Sequence, residues 1–172
     1  SRISEAPEIE IFTKTADSFV SQGAVFIERP ARSATVVSDR LQSVQGRSVG
    51  NSLVEEEYLE TAKELIAKAK ASNTDLILTV DHVVAAEFSE DASPEQVDSV
   101  DIPEGKVALD IGPKTVALVG RALEKAKTVV WNGPMGVFEF EAFATGTLEV
   151  AKQVAACGGT TVVGGGDSVA AV

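Results

Sequence analysis

The sequence predicts an α/β protein: a doubly wound, mostly parallel sheet with helices on both faces. From Ala24 onward, apolar segments of strand length alternate with segments whose apolar residues recur at helical spacing. This alternation gives parallel strands joined by right-handed helical crossovers. Turns of small residues follow three of the predicted strands. Such turns are typical of the carboxyl edge of α/β sheets, where ligands bind. The 172 residues suit one domain, within which residues 1–23, polar and acidic at the start, are expected to form a loosely ordered entry segment.

Composition limits the classes of function. Hydrophobic residues make up 44% of the chain, which argues against extensive disorder. The formal net charge of -11 argues against nucleic acid or an anionic membrane as a general partner, and any bound nucleotide would need a metal ion or local positive charge. Cys157 is the only cysteine and His82 the only histidine, so neither an internal disulfide nor a His/Cys zinc site is expected. No membrane-length apolar run or signal pattern is found, which predicts a soluble, intracellular protein of the cytoplasm or an organelle.

Each predicted element has a local reason. The strands are short apolar runs, in chain order residues 24–27, 76–80, 107–111, 128–131 and 160–163. The run 76–80 suits a strand covered on both faces. The helices carry one apolar stripe each, in chain order residues 36–44, 52–69, 113–126 and 141–157. Residues 87–105 are acidic, contain two prolines and predict no clear helix.

Capping residues predict where three of these helices begin or end. Gly46 ends the first helix. Ser52 and Glu55 fit a capping box at the start of the second, in which each satisfies an N–H group at the helix end. Pro113 suits the first position of the third, because its fixed φ matches a helix and its missing N–H would have no partner there.

Asp81 and His82 follow the strand 76–80, at an edge where ligands collect in α/β sheets. A histidine beside an acid suggests acid–base catalysis. No nucleophile accompanies the pair in the sequence, so a structural role for His82 is favoured.

The last glycine turn carries the clearest candidate chemistry. Residues 164–168 follow a strand and lead into a helix start. Glycines allow a ligand to approach the backbone, and free N–H groups at a helix start favour phosphate. Asp167 could hold Mg²⁺, and Ser168 could donate to a phosphate oxygen. A tight turn capped by Asp167 is the structural alternative.

Two further loops follow strand ends, residues 112–115 and 132–139. Glu139 could accept the hydroxyl groups of a ribose, Asn132 could donate to a phosphate, and Lys114 could neutralise phosphate charge. Each also has an ordinary explanation as a turn residue or a solvated charge. The three loops share one edge of the predicted sheet, which favours a nucleotide-phosphate site there.

Four segments resemble the C-terminal, nucleotide-binding domain of phosphoglycerate kinase. They are Trp131 to Glu139, Gly164 to Ser168, Leu109 to Lys114, and Ser48 to Leu53, and the similarity runs from about Gln45 to Val172. The resemblance implies a Rossmann-like domain that binds Mg-ADP or Mg-ATP. It also implies phosphoryl transfer between 1,3-bisphosphoglycerate and ADP, in glycolysis or the Calvin cycle.

The resemblance also implies roles for individual residues. Glu139 would contact ribose, Asn132 the nucleotide phosphates, and Gly112 the adenine pocket, with Pro134 in the same nucleotide site. Asp167 would bind the magnesium of the Mg-nucleotide, and the residues around the phosphates would be Gly165, Gly166 and Ser168. No catalytic residue is assigned in this chain.

The chain departs from the family in ways that leave its function open. The 172 residues hold no counterpart of the phosphoglycerate-binding domain or of a phosphate-binding lysine, and residues 28–32 replace a glycine-rich loop beside adenine. One hypothesis is the nucleotide half of a kinase, completed by a complementary domain. The alternative is a catalytically inactive structural subunit of a larger assembly. A third is a small-phosphometabolite module that uses residues 164–168 alone.

Overall fold

The computed structural model describes residues 24–28, 43–52, 54, 59–71, 77–165 and 169. Its elements form a mixed α/β fold. In chain order they are β1 (Ala24–Glu28), α1 (Leu59–Ala71), β2 (His82–Ala85), β3 (Glu95–Val97), β4 (Val107–Ile111), α2 (Pro113–Leu123), β5 (Thr128–Asn132), a 3-10 turn (Glu141–Phe143), α3 (Thr145–Ala155) and β6 (Thr160–Gly164). The predicted entry segment, residues 1–23, and the turn at residues 29–32 lie outside the described residues.

The described strands form two sheets of three strands each, not one mostly parallel sheet. In the first, the order is β1-β5-β6 and both pairings are parallel; in the second, the order is β3-β2-β4 and both are antiparallel. Parallel neighbours need a long crossover, and α3 supplies one between β5 and β6. Residues 86–106 include no described helix. β3 and β4 are both antiparallel to β2 and lie on opposite sides of it, so the chain between them passes from one edge of this sheet to the other. The prediction of a mostly parallel sheet is wrong for the second sheet.

The strand predictions fare differently along the chain. The runs at 107–111, 128–131 and 160–163 are confirmed as β4, β5 and β6. The prediction of a strand at 76–80 is wrong for the described residues 77–80, which are not a strand; β2 begins at His82. The N–H groups of Val80 and Asp81 instead donate to the Thr115 hydroxyl oxygen, at 3.0 and 3.4 Å. The acidic segment 87–105 contains β3 and the fully buried Ile102.

The predicted helix 141–157 is divided. A 3-10 turn over Glu141–Phe143 precedes α3. The division follows from Asp110, whose carboxylate Oδ2 accepts the Gly146 N–H at 2.7 Å and so gives α3 its own capped start. The other predicted helix start, Pro113, is confirmed as the first residue of α2.

The predicted capping box of Ser52 and Glu55 stays a prediction, and Ser52 makes a further contact with β4. The Ser52 hydroxyl oxygen accepts the Ala108 N–H at 3.2 Å, at the N-terminal part of β4, and α1 is described only from Leu59. Glu55 lies outside the described residues. Gly46 has φ of 77° and its N–H donates to the Ser43 carbonyl oxygen. Of the helix that it is predicted to end, residues 36–44, all but residues 43 and 44 lie outside the described residues.

The main core lies where α2 and α3 pack on the parallel sheet. Its members are apolar residues from these elements and from the end of β4: Ile111, Val119, Leu123, Val129, Trp131, Val150, Ala151, Val154 and Val163. Trp131 is fully buried, and its indole N–H donates to the Gly133 carbonyl oxygen at 2.6 Å. This bond anchors the start of the loop that leaves β5.

Candidate functional site

The parallel register brings three strand ends together at the carboxyl edge of the first sheet. Asn132, the last residue of β5, pairs in register with Glu28 on β1 and with Gly164 on β6. The Asn132 side chain is exposed, and its Oδ1 lies 3.9 Å from the position that a Cβ on Gly164 would take. Two of the predicted loops, 132–139 and 164–168, therefore leave the sheet side by side.

Residues 132–139 form a loop anchored from two directions. The N–H groups of Met135 and Gly136 both donate to the Thr147 hydroxyl oxygen at 2.9 Å, from the first turn of α3. The Val137 N–H donates to the Leu109 carbonyl oxygen at 2.7 Å, which ties the loop to β4. Asn132 and Glu139, at the two ends of this loop, have exposed side chains. Pro134, another predicted site residue, is buried within it.

A buried aspartate on β4 occupies the space beneath this loop. The Asp110 carboxylate Oδ1 lies 2.1 Å from the position that a Cβ on Gly136 would take, and 2.3 Å from the corresponding position on Gly146. The Ile111 N–H also donates to this oxygen, at 2.9 Å. Glycine is needed at residues 136 and 146 because a side chain there would collide with the carboxylate.

The last glycine turn is described only at its boundaries. Gly165 is exposed and has φ of 86°, a backbone conformation that glycine adopts readily. The Val169 N–H donates to the Gly165 carbonyl oxygen at 3.1 Å. Gly166, Asp167 and Ser168 lie outside the described residues, so their predicted roles stay predictions.

The loop 112–115 is occupied by a side chain of the protein itself. The Asp81 carboxylate accepts the Lys114 N–H at 2.7 Å and the Thr115 N–H at 2.8 Å, both in the first turn of α2. Its carboxyl carbon lies 2.3 Å from the position that a Cβ on Gly112 would take. These two N–H groups therefore bind a carboxylate of the chain. The Lys114 ammonium pairs with the exposed Asp98, at 2.5 Å.

Asp81 is the residue whose role the sequence pattern missed. The pattern drew attention to it as a neighbour of His82, whereas the structure makes it the cap of a helix that begins 32 residues later. A cap so distant along the chain leaves no local signal. The place of Asp81 directly after an apolar run was the only indication in the sequence.

His82 is 2% exposed, and its Nε2 lies 3.4 Å from the Val100 carbonyl oxygen. Burial lowers the pKa of this imidazole, an effect opposed by the hydrogen bond to Val100 and by the charge of Asp81. These surroundings agree with the structural role favoured from the sequence. Over the described ranges, no group of three or more His, Cys, Asp or Glu residues is placed to hold a metal ion.

The profile described as phosphoglycerate kinase matches residues 35–172. This chain belongs to the phosphoglycerate kinase family. A phosphoglycerate kinase of Borrelia hermsii is 56% identical over 129 residues, which are 75% of this chain and 33% of that protein. One from Clostridium botulinum is 56% identical over 128 residues, 74% of this chain and 32% of that protein.

Solved structures of phosphoglycerate kinases are similar to this chain as well. The enzyme of Coxiella burnetii is similar with a TM-score of 0.80 and 35% identity, over 90% of this chain and 39% of that chain. The enzyme of Pyrococcus horikoshii, at 22% identity and a TM-score of 0.67, shares the fold. The chain thus spans about a third of the length of the curated phosphoglycerate kinases that it matches. In the part that the structure describes, no helix is long and apolar enough to cross a membrane.

Proposed function

We infer that this chain is the nucleotide-binding part of a phosphoglycerate kinase and binds Mg-ADP or Mg-ATP. The observation that carries the proposal is the loop 132–139, which is anchored in the protein yet exposes two polar side chains. Asn132 is in register with Gly164, where the glycine turn after β6 begins, and Glu139 lies at the other end of the loop. The family transfers a phosphoryl group between 1,3-bisphosphoglycerate and ADP. A complementary phosphoglycerate-binding domain would be required for that reaction.

Each residue of the proposed site has a defined task. The Glu139 carboxylate would accept hydrogen bonds from the ribose hydroxyls, and the Asn132 amide would donate to the phosphates. Pro134 would contribute through the main chain of the same loop, and the main chain of Gly112 would line the adenine pocket. The remaining residues, Gly165, Gly166 and Ser168, would surround the phosphates with N–H and hydroxyl donors.

The proposed polyphosphate site uses the turn after β6 and not the start of α2. The N–H groups of Lys114 and Thr115 are already bound by Asp81, whereas Gly165 is exposed at the carboxyl edge of the parallel sheet. Ligands of α/β sheets bind at this edge. The occupied helix start thus leaves the glycine turn as the phosphate-binding element of the proposal.

Asp167 would hold Mg²⁺. A single carboxylate suits this ion, which keeps several waters and usually binds one or two carboxylates together with substrate phosphates. When bound, the ion neutralises the charge that develops on the transferred phosphoryl group. With a net charge of -11, the protein needs a metal ion or local positive charge to bind a polyphosphate, and Mg²⁺ would supply that charge.

One observation favours the alternative of a catalytically inactive structural subunit. Glu28 holds the register position beside Asn132, at the edge where the proposed phosphates would bind. An acidic residue at this position opposes the binding of an anion. Nucleotide titration therefore separates the two functions.

The test is calorimetric titration of the folded chain with ADP in the presence and absence of Mg²⁺, on the wild type and on Asp167→Asn. We expect Mg-ADP to bind the wild type, and the substitution to raise the Kd at least about tenfold by removing a charged magnesium ligand. Asp91→Asn, at an exposed acid of the segment 87–105, is the matched control and should leave the Kd unchanged. A folded wild-type chain that gives no heat with Mg-ADP would favour the structural subunit instead.

A further inference from the structure

Thr147 connects a helix to the proposed nucleotide loop through one hydroxyl group. Its side chain is 0% exposed in the first turn of α3. Its Oγ1 accepts two N–H groups at 2.9 Å, from Met135 and Gly136. A hydroxyl oxygen has two acceptor positions, so this pair of bonds uses both.

The helix turn that carries Thr147 is itself fixed. The Asp110 carboxylate accepts the N–H of the adjacent Gly146 at 2.7 Å, and it fills the space in front of both Gly136 and Gly146. The helix start and the loop therefore pack against the same buried carboxylate. The Thr147 hydroxyl supplies two direct hydrogen bonds between them.

The two hydrogen bonds lie in the loop between the exposed residues of the proposed site. Asn132 lies three residues before Met135, and Glu139 lies three residues after Gly136. The two exposed side chains of the proposed site therefore flank the residues that Thr147 holds. A change in these hydrogen bonds would alter the loop midway between Asn132 and Glu139.

We propose that Thr147 is a positioning residue for nucleotide binding, because its hydroxyl holds Asn132 and Glu139 in the relative placement that ribose and phosphate require. The proposal rests on the nucleotide function inferred above. Replacing the hydroxyl by a methyl group of similar size leaves two loop N–H groups without their acceptor. The loop then shifts toward arrangements that satisfy them, and small displacements at a site weaken its contacts strongly.

The test compares Thr147→Val with Thr147→Ser, which keeps the hydroxyl, and with Val154→Ala. Val154 is a buried residue of the same helix, so its truncation lowers stability without removing a hydrogen bond to the loop. By calorimetry, Thr147→Val should raise the Kd for Mg-ADP about tenfold. Thr147→Ser and Val154→Ala should stay close to the wild type. Equal losses of affinity for Mg-ADP in Thr147→Val and Val154→Ala would overturn the proposal.

A double-mutant cycle separates positioning from general stability. If Thr147 acts by placing Glu139, the loss of affinity for Mg-ADP caused by Glu139→Gln should be smaller in the Thr147→Val background than in the wild type. If the fold-increase in Kd of the double variant equals the product of the fold-increases of the two single variants, the two residues are not coupled and this role is contradicted.

Hydrogen exchange tests the anchor independently of ligand binding and of variant folding. In the wild-type chain, the Met135 and Gly136 amides should exchange much more slowly than exposed loop amides. Rapid exchange of both amides would overturn the proposal. Failure of the wild type to bind Mg-ADP, with slow exchange at these two amides, would refute the nucleotide function and with it the role of Thr147 in binding. Slow exchange with normal binding and an unchanged Kd in Thr147→Val would refute the positioning role alone.

Discussion

The Asp81 carboxylate accepts a hydrogen bond from the Thr115 hydroxyl at 2.6 Å, although the two residues lie 34 positions apart in the chain. The same carboxylate accepts the main-chain N–H groups of Lys114 and Thr115. Asp81 is 1% exposed, so its carboxylate has lost its hydrogen bonds to water. The bonds from Lys114 and Thr115 compensate for that loss. The start of α2 is thus closed by a charged group of the protein.

This cap predicts a large effect of Asp81→Asn on stability. The asparagine NH₂ group would have to face at least one of the N–H donors that the carboxylate accepts, so a buried donor loses its partner. We expect the free energy of unfolding to fall by about 2–3 kcal/mol. Urea denaturation monitored by circular dichroism measures it.

The matched control is Asp98→Asn, which removes the exposed partner of Lys114 near the same helix. Exposed ion pairs contribute little, so its cost should stay below about 1 kcal/mol. Equal effects of the two substitutions would contradict the assignment of Asp81 as the cap.

Gly136 is predicted to be intolerant of any side chain. In Gly136→Ala the new Cβ would approach Asp110 Oδ1 to 2.1 Å and the Phe143 carbonyl oxygen to 2.5 Å, so the loop or α3 must move. We expect a loss of at least about 2 kcal/mol in the free energy of unfolding. Thermal and urea denaturation of the purified variant measure the loss.

Gly158→Ala is the control for this substitution, because among the described residues no atom beyond its two chain neighbours lies within 4 Å of the position that its Cβ would take. Its stability should stay within about 0.5 kcal/mol of the wild type. If Gly136→Ala were equally mild, the contact between Asp110 and the loop would be looser than described.

His82 predicts a dependence of stability on pH. Burial lowers its pKa in the folded state below the ordinary value of 6.5, so the unfolded chain binds the proton more readily. Stability contributed by the neutral imidazole is therefore complete above pH 6.5 and is lost as pH falls from there toward the folded-state pKa. Between about pH 7 and pH 5, the wild type should lose more stability than His82→Gln, which has no group to protonate there. Urea denaturation of the two proteins at a series of pH values measures the free energy of unfolding. An identical change of this free energy with pH in both proteins would contradict the prediction.

Glu139 tests the ribose contact of the proposed site. Glu139→Gln should weaken Mg-ADP binding by about tenfold, since a charge-assisted acceptor of the ribose hydroxyls becomes neutral. The matched control is Glu141→Gln, an equally exposed acid two residues further along. Calorimetry with ADP and with 2′,3′-dideoxy-ADP provides the measurement. The wild type should prefer ADP and Glu139→Gln should not; a preference that survives the substitution would exclude the ribose contact.

Local patterns were sufficient where neighbours in sequence decide the structure. The runs that became β4, β5 and β6 are apolar and bounded by turns, and Pro113 starts α2 as its fixed φ requires. The strings around Trp131 and Gly164 indicated the phosphoglycerate kinase family, which the matched profile confirms. The proposed edge also followed from pattern, because the ends of parallel strands lie together.

Patterns failed where distant residues compete for the same groups. The run 76–80 has strand composition, but the N–H groups of Val80 and Asp81 bond to Thr115. The helix predicted from Glu141 is divided because Asp110 caps α3 at Gly146. In both places a buried side chain from elsewhere overrides a local preference.

The sequence by itself determined the family, the position of most strands and the loops that carry the candidate site. The tertiary structure decided that the second sheet is antiparallel, that Asp81 closes the start of α2, and that Thr147 holds the loop 132–139. The physical reason is the range of the interactions. Propensity and periodicity act over a few residues, whereas buried carboxyl and hydroxyl groups find their partners only after packing brings distant segments together.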